Sequence, residues 1–182
     1  YTDDRGTEDN TADDRATHRR NAQIRQASGL VKAGRALGDG ARLDALLRHF
    51  DKRQGLPTWD NRDVDTRLDT RTTQARLRWR DRSLDGAGRW AGMAGLHGRL
   101  RREVYDDRGG TIGLGRQHNR YRTRTVGAEG YVEWLGDRNT VVLRGDVTGE
   151  RYVARDLIAD EEASDARRRR LELAASHKAH RF

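Results

Sequence analysis

Few residues of this chain stand in a pattern that supports chemistry. His177 and His180 are three apart, the spacing that puts two imidazoles on one face of a helix, within reach of one metal ion. On a strand the same spacing puts them on opposite faces, so no metal site is expected there. Asp3, Asp4, Glu8, Asp9, Asp13 and Asp14 offer hard oxygen ligands for Ca²⁺. They miss the EF-hand spacing, and a solvated acidic loop is the expectation. Gly109-Gly110-Thr111-Ile112-Gly113-Leu114-Gly115 has the glycines of a phosphate-cradling loop. A dinucleotide fingerprint would need a further glycine at the position of His118 and a helix after it, so a flexible loop is expected instead. No Ser/His/Asp constellation and no carboxylate pair is spaced for catalysis. The chain is expected to be neither an enzyme nor a cofactor carrier.

Charge suggests a different chemistry. The net charge is +8, and the positive residues are arginines apart from Lys32, Lys52 and Lys178. Arg167–Arg170 form an uninterrupted run that could grip phosphate, including the phosphates of lipid A. Asp160, Glu161, Glu162 and Asp165 stand just upstream, however, and elsewhere arginines alternate with apolar residues. A nucleic-acid surface wants a basic stripe interleaved with stacking aromatics. Nucleic acid is therefore not expected as a partner, and a soluble Arg-rich β module that binds it is the rival reading. The run 167–170 is read as a charged strand entrance facing lipopolysaccharide or a polar interior.

The elements that must position these residues are strands. Of the 182 residues, 34% are hydrophobic and 36% charged, too few apolar and too many charged for a large soluble core. No run approaches the ~20 apolar residues of a spanning helix. Yet apolar residues recur at every second position. Thr73, Ala75, Leu77 and Trp79 oppose Gln74, Arg76, Arg78 and Arg80. Trp90, Gly92, Ala94, Leu96, Gly98 and Leu100 oppose His97, Arg99 and Arg101. Val126, Ala128, Gly130, Val132 and Trp134 oppose Glu129 and Glu133, and Val141, Leu143, Gly145 and Val147 oppose Arg144 and Asp146. A period of two with charge confined to one face is strand patterning. The flanks are less regular: 22–37 alternates weakly, with Leu30 on the polar side, while 170–176 alternates better, with Leu171, Leu173 and Ala175 opposite Glu172, Ala174 and Ser176. Residues 41–50 are ambiguous: Leu43, Leu46, Leu47 and Phe50 have helix spacing, which favours the soluble rival. As a strand the same stretch puts Leu43, Ala45 and Leu47 opposite Arg42, Asp44 and Arg48.

Connections alternate between short and long. Gly38-Asp39-Gly40, Asp85-Gly86-Ala87-Gly88 and Gly136-Asp137-Arg138-Asn139 are hairpin signals. Between them lie longer stretches, 51–65 with Pro57 and Trp59, glycine-rich 105–119, and acidic 155–165. Trp79, Trp90 and Trp134 each lie near a short turn on the apolar side of their segment, as an aromatic girdle at one membrane rim would. An Arg facing lipid at mid-membrane costs ~2–4 kcal/mol, which a polar lumen avoids. The expected fold is all-β: antiparallel transmembrane β-barrel strands, about seven of a larger barrel. Leu77, Leu96, Val132 and Leu143 are expected to face lipid, and Arg76, Arg78, Glu129, Arg144 and Asp146 the lumen. Seven strands do not make a closed bacterial barrel. With no initiator Met before Tyr1, residues 1–182 are expected to be part of a single barrel domain whose remaining strands lie elsewhere.

The stretches Gln26-Ala27-Ser28-Gly29-Leu30-Val31-Lys32-Ala33-Gly34 and Arg42-Leu43-Asp44-Ala45-Leu46-Leu47-Arg48-His49-Phe50 resemble the barrel of a TonB-dependent outer-membrane transporter. Lys52-Arg53-Gln54-Gly55-Leu56-Pro57 is similar to that family's strand-to-loop exit, and Tyr131–Asn139 to one of its periplasmic hairpins. The resemblance is one of pattern and runs through most of residues 17–180. It implies a 22-stranded barrel in a bacterial outer membrane, with a plug domain that residues 1–182 do not include. It implies import of a scarce nutrient, such as a metal chelate (siderophore), vitamin or glycan, powered through TonB. Implied partners are TonB, the plug, the small-molecule nutrient, and outer-membrane lipid and lipopolysaccharide. A porin-like outer-membrane barrel would share the wall without plug or TonB.

Overall fold

The computed structural model describes residues 2–3, 15–16, 19–58, 62–113 and 115–179. Trp59, His180 and the acidic run from Asp4 to Asp14 lie outside the described residues. A two-residue pair, β1 (Thr2–Asp3) and β2 (Arg15–Ala16), precedes seven long strands. These are β3 (Ile24–Ala36), β4 (Ala41–Gly55), β5 (Arg67–Asp81), β6 (Trp90–Asp107), β7 (Gln117–Leu135), β8 (Asn139–Asp156) and β9 (Glu161–Ala179). They form one antiparallel sheet in chain order, each strand paired with its sequence neighbour. The sheet is open, with β3 and β9 at its edges.

Residues 41–50 are strand. Within β4, Leu43 pairs with Trp79 and Leu47 with Ala75, while Leu46 pairs with Arg76 and Phe50 with Thr72. The helix-like spacing of the four apolar residues thus divides between two faces of a strand. Neighbour pairing along the whole length of β4 overrides a local preference that only tertiary burial of one helical stripe could have rewarded.

Hairpin chemistry sits where the glycines demand it. Gly38, Gly86 and Gly88 have φ of 107°, 69° and 74°, values that a Cβ makes costly. In the β5–β6 turn the Asp85 carboxylate accepts hydrogen bonds from the N–H groups of Ala87 and Arg89 (both 3.2 Å) and Trp90 (3.4 Å). Desolvation opposes its ionisation, but these donors outweigh it and hold the carboxyl below its ordinary value.

The long connections are shorter than the sequence suggests. β4 continues to Gly55, β6 to Asp107 and β7 begins at Gln117. The stretch 155–165 is not an extended loop at all: residues 157–160 form a turn and the rest belongs to β8 and β9. Among its acids, Asp165 stands on β9 and meets Arg151 across the strands at 2.7 Å, while Asp160 lies in the turn and meets Arg155 at 2.9 Å.

Almost nothing is buried. Val64 and Ala154 are the buried hydrophobic residues among those described, and the accessible surface is 13695 Å². A folded soluble protein of 20.8 kDa exposes roughly 8,900 Å². The molecule is a single layer whose two faces are both open.

Candidate functional site: one apolar and one charged face

Register builds the first face in rows. Ala33, Ala45, Leu77, Leu96, Ala128, Val147 and Leu171 are successive cross-strand partners, so one row is apolar across all seven strands. The rows on either side follow, one through Val31, Leu47, Ala75, Gly98 and Val126, the other through Leu43, Trp79, Ala94, Gly130, Gly145 and Leu173. Charge enters these two rows at the outermost strands, as Arg35 and Arg169. Val132 and Leu143 pair in the next row toward the short turns. Leu77, Leu96, Val132 and Leu143 therefore share one face, and it is exposed: Leu96 is 59% and Leu173 75% accessible.

Trp90 and Trp134 are direct cross-strand partners in the terminal row of that face. Trp79 shares the face but pairs with Ala94, four positions along β6 from Trp90. The spacing of turns in sequence put all three near turns; only register separates them.

The opposite face carries the charges. Arg76 and Arg78 of β5 both reach Glu129 of β7, Arg78 at 3.4 Å. Asp44 takes Arg42 at 2.7 Å and Arg80 at 3.4 Å, and Arg101 bonds Glu103 at 2.6 Å. Asp146 lies between Glu129 and Glu172 in one row, and Arg144 between Tyr131 and Ala174 in the next. All five charged positions singled out from sequence, Arg76, Arg78, Glu129, Arg144 and Asp146, are thus on one face, with the first three in contact. Glu103 and Glu150 also bind arginines, Arg101 on the same strand at 2.6 Å and Arg99 two strands away at 3.8 Å, and neither acid was singled out from sequence.

The run 167–170 divides between faces. Arg167 and Arg169 join the apolar side, above its last apolar rows, while Arg168 and Arg170 join the charged side, Arg170 against Glu172.

One carboxylate organises the connection between β6 and β7. Asp107 is 1% exposed and accepts hydrogen bonds from the backbone N–H groups of Thr111 (2.8 Å), Ile112 (3.0 Å) and Gly113 (2.9 Å). The hydroxyls of Thr66 (3.0 Å) and Thr111 (2.9 Å) add two more. Burial alone would raise its pKa; the three backbone donors and the Thr111 hydroxyl overcome that and hold it far below the ordinary carboxylate value. The glycine-rich amides that could have cradled a phosphate are occupied by the chain's own carboxylate. A recess of ≈ 730 Å³ opens beside it, lined in part by Asp63, Asp106, Arg108 and Arg116.

No group of three His or acidic residues among the described residues is arranged to hold a metal ion. His177 instead bonds the Asn139 side chain at 3.0 Å.

No family model, curated protein or solved structure matches this chain.

Proposed function

We propose that the chain is a wall segment of a bacterial outer-membrane β-barrel, most specifically of a TonB-dependent receptor that imports a scarce nutrient. The observation that carries the reading is a seven-stranded antiparallel sheet with an exposed apolar face and almost no core. Such a face in water is a strong aggregation liability, whereas lipid covers it at no cost. The dimensions agree. From Val126 to Trp134 the apolar side of β7 runs about 27 Å at ~3.3 Å per residue, or about 19–22 Å after a ~35–45° tilt, against an apolar band of ~25 Å. The terminal Trp90–Trp134 pair stands where an interfacial girdle belongs.

On this reading the charged face lines a wet lumen, where Arg76, Arg78, Glu129, Arg144 and Asp146 meet water or a plug. Further strands join the open edges of β3 and β9, since unpaired backbone does not persist in hydrocarbon. The residues do no bond-making chemistry; they hold a wall and shape its interior. The TonB-dependent assignment rests on the resemblance of the strand and exit segments to that family.

The soluble nucleic-acid reading fits less well. Tyr121 and Tyr152 stack with ring centres 6.3 Å apart, but on the face opposite the densest arginines. A single-strand binder needs both on one surface.

The test is the physical state of the purified protein that contains this chain, with and without uncharged detergent. The wall reading expects stable β structure and monodispersity in micelles alone; a folded monomer in plain buffer sinks it. In cells, TonB-dependent uptake by the protein that contains this chain separates a receptor from a porin-like barrel.

A further inference from the structure

We propose that the apolar side of β6–β8, just beyond its last apolar row, binds the phosphates of a phosphorylated membrane glycolipid of the lipid A class. The inference rests on the barrel-wall reading for its orientation, and names a ligand and residues within it.

Beyond Val126 the same face changes character abruptly. The next row holds Leu100, Arg124, Arg151 and Arg167; the one after it Arg102, Arg122, Val153 and Asp165; the third Val104, Arg120, Arg155 and Glu162. Arg102 and Arg122, Arg120 and Arg155, Arg124 and Arg151, and Arg151 and Arg167 are direct cross-strand neighbours. Like charges placed opposite each other destabilise a sheet. The local acids relieve one margin only: Asp165 holds Arg151 at 2.7 Å and Asp160 holds Arg155 at 2.9 Å. Arg102, Arg120, Arg122 and Arg124 make no ion pair with a described residue.

Several other arginines are compensated. On the charged face Arg42, Arg76, Arg78, Arg80 and Arg101 each meet a carboxylate, and on β5 Arg71 meets Asp51 at 2.7 Å. Arg48, Arg53 and Arg144 also make no ion pair with a described residue, but Arg102, Arg120, Arg122 and Arg124 stand together in adjacent rows of β6 and β7, beside β8. There Arg120, Arg122, Arg124, Arg151 and Arg155, five cations against the one carboxylate of Glu162, line a recess of ≈ 200 Å³, and the Arg120 Nε is buried with no hydrogen-bond partner. Guanidinium forks suit phosphate oxygens in number and geometry.

Position selects the source of that phosphate. Arg124, Arg122 and Arg120 lie about 7, 13 and 20 Å along β7 from Val126 at ~3.3 Å per residue. A lipid whose acyl chains cover Leu96, Val126 and Val147 carries its headgroup to this recess. The cluster lies at the end of the sheet opposite the Trp90–Trp134 pair, the end that carries the two longest connections between the seven strands, 56–66 and 108–116, which in an outer-membrane barrel is the outer leaflet.

The experiment uses the full-length protein that contains this chain, in maltoside micelles, and titrates diphosphoryl lipid A, its dephosphorylated form and inorganic pyrophosphate. Expected is binding of the phosphorylated lipid that weakens at least about tenfold on dephosphorylation and at least about tenfold in Arg120→Gln/Arg122→Gln. Arg82→Gln/Arg138→Gln, which removes equal charge near the short turns, should bind like the parent chain. The exposed single change Arg124→Gln repeats the test if the double variant misfolds, with a smaller loss expected. Equal affinity for both lipids, or unaltered binding by the Arg120/Arg122 and Arg124 variants, overturns the proposal while leaving the wall intact. Full competition by millimolar pyrophosphate overturns it in favour of a free-phosphate site. Failure of that protein to enter micelles overturns the wall reading and this one with it.

Discussion

Arg76 of β5 and Glu129 of β7 are joined across the whole width of β6, and the path runs over Gly95. Glu129 pairs with Gly95 in the β6–β7 register, and a Cβ built on Gly95 would stand 3.0 Å from the Glu129 Cγ and Oε1 atoms. The missing side chain is the channel through which the carboxylate reaches both arginines of β5. Gly127 repeats the device beneath His97, whose ring atoms would lie 2.5 Å from a Cβ there. Gly95 and Gly127 thus each lie beneath a long side chain of the neighbouring strand.

Gly95→Leu should therefore sever the Glu129 link without unfolding the sheet. Both partners are partly exposed, at 42% and 27% for the Arg76 and Glu129 side chains, so solvent screening keeps the pair weak. An Arg76→Ala/Glu129→Ala double-mutant cycle should give a coupling of roughly 0.2–1 kcal/mol. In the Gly95→Leu background that coupling should vanish. Persistence of the coupling would mean that the carboxylate has another route.

A charge scan separates the faces. Val132→Arg and Leu143→Arg each place a cation on the apolar side and should cost ~2–4 kcal/mol of insertion into phosphatidylcholine vesicles, less nearer the rim. Arg144→Ala, on the charged side between Tyr131 and Ala174, should insert like the parent chain. Protease protection after vesicle refolding reads each outcome. Tolerance of both arginines with failure of Arg144→Ala would reverse the facing.

Much of this architecture was legible in sequence, because a period of two needs no knowledge of partners. Leu77, Leu96, Val132 and Leu143 declare their face by alternation alone. What alternation omits is register. It could not tell that Leu46 and Phe50 belong with the charges, since helix spacing explains the same four residues. Nor could it find Glu150, whose arginine lies two strands away at a position only pairing defines. The turn at 157–160 was missed because strand acids that pair with arginines look like loop composition.

The Asp107 network predicts a pH response confined to acid. Its folded carboxyl lies below the ordinary value of 3.8, so its stabilisation is fully present above that range and is lost as pH falls beyond it. Neutral and mildly acidic solutions should leave the β6–β7 connection ordered. Asp107→Asn removes the charge at every pH and should loosen the connection by ~1.5–3 kcal/mol. Hydrogen exchange at the Ile112 and Gly113 amides is the direct readout. Protection in the variant equal to that of the parent chain would show that the threonine hydroxyls suffice.

Register also predicts that the three tryptophans are not equivalent. Trp79 stands four positions from the Trp90 row, about 13 Å along the strand at ~3.3 Å per residue. Strand tilt shifts neighbouring strands by only a few ångströms, too little to bring Trp79 level with the other two. In vesicles of lipids brominated near the bilayer centre, a chain retaining Trp79 alone should be quenched more strongly than chains retaining Trp90 or Trp134 alone. Trp90 and Trp134, as direct partners, should share one quenching depth near the headgroups. Equal quenching of all three would restore a single level girdle and require a different register between β5 and β6. Trp90 and Trp134 at clearly different depths would contradict their pairing across β6 and β7.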